Sequence, residues 1–65
     1  MTYLVINKGG KIRKFDTLER AEKYMKKNEG IYVMVPILNY STVILVYESK
    51  NGKLEQIKSL AILDS

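Results

Sequence analysis

Apolar residues recur along this chain with two different periods, and each change of period marks an element boundary. Thr2 to Asn7 is rich in β-formers, Asn7-Lys8-Gly9-Gly10 supplies residues that tolerate positive φ, and Lys11 to Phe15 resumes an extended pattern. Together they predict a hairpin. From Leu18 the spacing turns helical, with Leu18, Ala21, Tyr24 and Met25 on one side and Glu19, Glu22, Lys23, Lys26 and Lys27 on the other. Asp16-Thr17-Leu18-Glu19 reads as the helix start, capped either by Asp16, with Glu19 completing a capping box, or by Thr17. Asn28-Glu29-Gly30 reads as its end. Glu19 to Lys23 and Glu22 to Lys26 are i,i+4 pairs in the favourable order.

Strand periodicity then returns. Ile31 to Leu38 places Ile31, Val33, Val35 and Ile37 on one side and Tyr32, Met34, Pro36 and Leu38 on the other, so neither side is polar. Because proline cannot donate to a ladder, Pro36 argues that this strand lies at a sheet edge or that its pairing breaks there. Asn39-Tyr40-Ser41 reads as a turn into Thr42 to Glu48, and Asn51-Gly52 is a strong signal for a tight hairpin. Leu54 to Leu63 reads as a last strand, although Leu54, Ile57, Leu60 and Ala61 would also suit a short helix. The order β-β-α-β-β-β predicts a small α+β single domain over residues 1–65, with one helix packed on a mostly antiparallel twisted sheet.

Size makes this plan incomplete by itself. A helix of about twelve residues is roughly 18 Å long and about 10 Å across, whereas five strands at about 4.8 Å spacing span nearly 20 Å. One helix therefore shields about half of one face, while the middle strands are apolar on both. The far face is expected to meet another molecule, and Tyr32, Met34, Leu38, Tyr40 and Tyr47 are the expected anchors of that protein interface. The uncharged strand Ile31 to Leu38 is also expected to be open to strand addition.

Composition narrows the chemistry. A chain of 65 residues leaves a small domain marginally stable, and with no Cys and no His it lacks disulfides, thiolate or imidazole metal ligands and the usual general base near neutral pH. The serines have no histidine to activate them, Gly9-Gly10 belongs to no phosphate-binding loop, and no two carboxylates form an acid/base pair. No enzyme activity, cofactor or metal is expected. The first residues resemble a strand more than a signal peptide, and the uncharged stretch is too short and too interrupted for a membrane span, so a cytoplasmic protein is expected.

Charge is distributed unevenly. Residues 1–30 hold eight basic and four acidic side chains, residues 31–47 hold none, and the remainder is balanced, so the whole net charge of +4 is N-terminal. Protein binding is the expected function, as a homodimer or as a regulator or inhibitor of a larger protein. The alternative is nucleic-acid binding, in which Lys11, Arg13, Lys14, Lys23, Lys26 and Lys27 contact phosphates while tyrosines stack on bases. Lys11 and Arg13 share one strand face and Lys14 takes the other, while Glu19 and Glu22 interrupt the helix lysines and dilute their field. The segment Phe15 to Glu22 resembles a helix opening shared by many small domains, some antitoxin-like folds among them, and implies capping chemistry only.

Overall fold

The computed structural model describes residues 1–37 and 41–63, which form β1 (Thr2–Asn7), β2 (Ile12–Phe15), α1 (Leu18–Lys27), β3 (Gly30–Ile37), β4 (Ser41–Lys50) and β5 (Lys53–Leu63). The five strands make one sheet in the order β2-β1-β3-β4-β5, antiparallel throughout, with α1 across one face. This is the small α+β domain that the periodicity predicts. Among the described residues no helix is long and apolar enough to cross a membrane.

Turn chemistry fixes both hairpins. In the first, Gly10 takes φ 87, its N–H donates to the Asn7 carbonyl at 2.9 Å, and the Asn7 side chain accepts from Lys11 N–H at 2.9 Å. In the second, Asn51 (φ 55) and Gly52 (φ 74) carry the left-handed angles of a two-residue turn between paired Lys50 and Lys53. Glu29 accepts the Asn51 N–H at 2.7 Å and so ties this turn to the start of β3.

Of the two candidate caps, Thr17 is the one used. Its backbone is extended and its side chain accepts from Arg20 N–H at 3.2 Å, while Asp16 pairs with the Arg20 guanidinium at 3.5 Å. That is the only ion pair within 4 Å among the described residues, so the expected Glu19–Lys23 and Glu22–Lys26 pairs are not closed. At the other end, the Tyr32 hydroxyl donates to the Asn28 carbonyl at 2.8 Å, satisfying a helix-terminal acceptor from the sheet below. The C-terminal segment, ambiguous by spacing, is strand.

Of the two readings of Pro36, the edge strand is corrected, since β3 is the middle strand and the edges are β2 and β5, while a break in its pairing is what the register shows. Being apolar on both faces is what a central position demands. Pro36 is accommodated by interruption, because the β3–β4 register runs from Gly30↔Ser49 to Met34↔Leu45 and resumes at Ile37↔Thr42, stepping over Val35 and Pro36. The long edge β5 carries a bulge at Ile57, opposite Val46 and Tyr47, and the charges Lys53, Glu55 and Lys58, all devices that discourage edge pairing.

Candidate functional site

Side chains alternate along each strand, so the register sorts every described position onto the helix side or the open side. Val5, Tyr32, Met34, Tyr47 and Ser49 lie on the helix side, and together with Ala21 and Met25 of α1 they are the buried residues. Tyr3, Phe15, Tyr24, Leu45 and Leu54 pack around them. Among the described residues, no side chain on the opposite face is buried.

That opposite face is built from two rows running across the strands. Ile12, Ile6, Val33 and Val46 stand side by side, ending in Lys58 on β5. In the next row Lys14 on β2 is followed by Leu4, Val35, Ile44 and Leu60. Ile31 and Ile37 extend the apolar area along β3, and Glu48 and Glu55 stand opposite each other at the hairpin end. Strand spacing and rise give this patch a footprint of roughly 20 Å by 20 Å, or about 400 Å² in projection. Ile12 is 58% exposed, Ile37 48% and Leu60 50%, and no element among the described residues lies above them. Contiguous apolar surface of this extent marks an interaction site.

The expected anchors fall on the wrong side for that role. Tyr32, Met34 and Tyr47 retain only 4%, 1% and 8% of their accessible surface and fill the space beneath α1. The reason is geometric: a helix stands about 10 Å off a sheet and touches it along a narrow line, so long side chains are needed to fill the gap on either side of that line. Leu38 and Tyr40 lie outside the described residues. Burial, with the neighbouring Tyr24 phenol as a smaller cause, raises the Tyr32 phenol above its ordinary value. Burial also raises Tyr47, helped by the Glu22 carboxylate.

The basic residues divide into groups. Arg13 and Lys14 on β2 approach Lys23 and Lys27, and α1 adds Arg20, which the sequence reading leaves out although Arg20, Lys23 and Lys27 recur at helical spacing. Lys26 stands on the other flank of α1 among Glu19 and Glu22, and Lys11 sits in the β1–β2 turn. Glu19 and Glu22 line one hollow together with Lys23, Lys26 and Lys27, so the acids stand beside the helix lysines as expected from sequence, while Arg20 pairs with Asp16. Among the described residues no group of three or more acidic side chains is placed to hold a metal ion.

Three comparisons, with family models, with curated proteins and with solved structures, return no match for this chain. Geometry alone carries the functional reading.

Proposed function

We propose that this chain is a protein-binding module that acts as a homodimer, closing its open sheet face against the same face of a second copy. The observation that carries this is the one-sidedness of burial: every buried strand residue among those described lies on the α1 side, while Leu4, Ile6, Val33, Val35, Ile44 and Val46 make a continuous aliphatic surface that no element among the described residues covers. A small domain without disulfides gains most from covering that surface.

A second copy fits better than an unrelated occupant for three reasons. The face is flat and made of short branched side chains, the shape that another sheet packs against at about 10 Å separation. Among the described residues, its six aliphatic side chains line none of the hollows found on the surface. Its charges stand at the rim, Lys14 on β2 and Glu48, Glu55 and Lys58 on β4 and β5, so a two-fold axis along the middle strand β3 brings Val33 and Val35 against their own copies at the centre. Corrugation and the charged rim bring the projected 400 Å² or so towards the roughly 800 Å² per partner of a stable interface. No reaction belongs to this role.

Sedimentation equilibrium from about 1 µM to about 1 mM tests it. The wild-type chain is expected to shift from monomer to dimer mass within that range, and Val33→Lys to shift the transition at least about 100-fold upward. A monomer throughout, with a folded circular-dichroism spectrum, would overturn self-association and leave a larger target protein as the occupant.

A further inference from the structure

We propose a second, independent binding site: the cationic trough between β2 and the outer flank of α1 holds the phosphate backbone of single-stranded nucleic acid. A hollow of about 470 Å³ is lined by Lys14, Phe15, Arg20, Lys23, Tyr24 and Lys27. It adjoins a second hollow of about 370 Å³ that shares Lys14, Phe15 and Arg20, so the two form one open trough around the β2 edge.

Three features suit it to a polyanion. Arg13, Lys14, Arg20, Lys23 and Lys27 gather around this trough with Asp16, and Glu19 and Glu22 border Lys23 and Lys27 only on the side away from β2, so the region is net basic. Next, the cations are held in place. The Arg13 guanidinium carbon sits 5.3 Å from the Tyr24 ring centroid in a cation–π contact, and Asp16 pairs with Arg20 at 3.5 Å. Finally, Phe15 and Tyr24, with centroids 5.3 Å apart and both partly buried, present their remaining ring surface between the cations. Cations flanking aromatic rings serve a strand with both phosphates and bases; an acidic peptide would use the cations and leave the rings idle.

Most of the trough lies on the helix side, with Lys14 at the β2 edge bordering both it and the aliphatic face, so a dimer would present two such sites along its outer edges. Binding here does not depend on the dimer, and either can fail alone.

Fluorescence anisotropy with a labelled oligothymidylate of about 12 nucleotides, titrated at several salt concentrations, tests the site. Two charge-matched triple variants are compared, with folding of each checked by circular dichroism: Arg20→Glu/Lys23→Glu/Lys27→Glu in the trough, and Lys8→Glu/Lys26→Glu/Lys53→Glu outside it. The trough variant is expected to lose about 100-fold or more in affinity, and the slope of log affinity against log salt to fall by about 2. The control variant is expected to stay within a few-fold of wild type. Equal losses in the two variants, or no wild-type binding at low salt, would overturn the site. Tighter binding of poly-glutamate than of the oligonucleotide would assign the trough to an acidic protein segment and overturn the nucleic-acid proposal.

Discussion

The two faces of one sheet, separated by the thickness of a single strand, are built from different side chains. Beneath α1 the sheet carries Tyr3, Tyr32, Tyr47, Met34 and Leu45; across the sheet, Leu4, Ile6, Val33, Val35, Ile44 and Val46 include no aromatic ring and no methionine. The contrast shows what each face must reach. A ten-residue helix is about 15 Å long and touches a five-stranded sheet along a line, so its face needs long side chains that span the gap and polar tips that end in water or on a carbonyl. Tyr32 does this through the Asn28 carbonyl at 2.8 Å. Short branched side chains reach nothing above themselves and suit a flat surface laid directly on them.

Substitution of one residue on each face of β3 gives the sharpest test of this difference. Tyr32→Ala is expected to cost about 3–5 kcal/mol, much of the stability of a domain this size, and to appear as loss of the folded baseline in urea titration. Its neighbour Val33→Lys is expected to act on association first, weakening it at least about 100-fold, with β-sheet circular dichroism retained at low concentration. If Val33→Lys unfolds the chain at concentrations where the wild type is a folded monomer, or Tyr32→Ala spares the fold, the two faces do not differ as described.

Smaller effects refine the covered face. Tyr32→Phe removes the hydroxyl that satisfies Asn28 and is expected to cost about 1 kcal/mol in the same titration. The phenols of Tyr32 and Tyr47 are both raised above their ordinary value, so the folded state holds these protons more tightly than the unfolded state does. Their contribution is therefore fully present below about pH 10 and is lost as pH rises through the raised values. Denaturation midpoints are expected to be insensitive to these groups below about pH 10 and to fall above it, with a shallower fall in Tyr32→Phe. Smallest of all, the Ser49 hydroxyl is buried without a hydrogen-bond partner among the described residues, so Ser49→Ala is expected to raise stability by up to about 1 kcal/mol.

Much of the fold was legible because local chemistry and periodicity agreed. Asn51-Gly52, Thr17 and the helical recurrence of Ala21 and Met25 each point to a structure that needs no tertiary information. Which face the helix covers was not legible. In β3 both alternations are apolar, so either register satisfies the pattern, and the choice rests on volume: tyrosine and methionine fill the gap under a helix as readily as they anchor a partner. Pro36 left a similar choice open, since a missing donor identifies the broken rung that is found but not whether a strand lies beyond it. Arg20 was not legible as a site residue because it stands among acids in the sequence, and its approach to β2 depends on how the helix sits on the sheet.

The most direct measurement is an isotope-filtered NOE experiment on a mixture of labelled and unlabelled chains, at a concentration where the dimer dominates. Contacts between copies are expected among the methyl groups of Leu4, Val33, Val35, Ile44 and Val46. A dimer whose intermolecular contacts run instead through α1 or along β5, with those methyl groups silent, would contradict the assignment of the open face as the surface on which two copies meet.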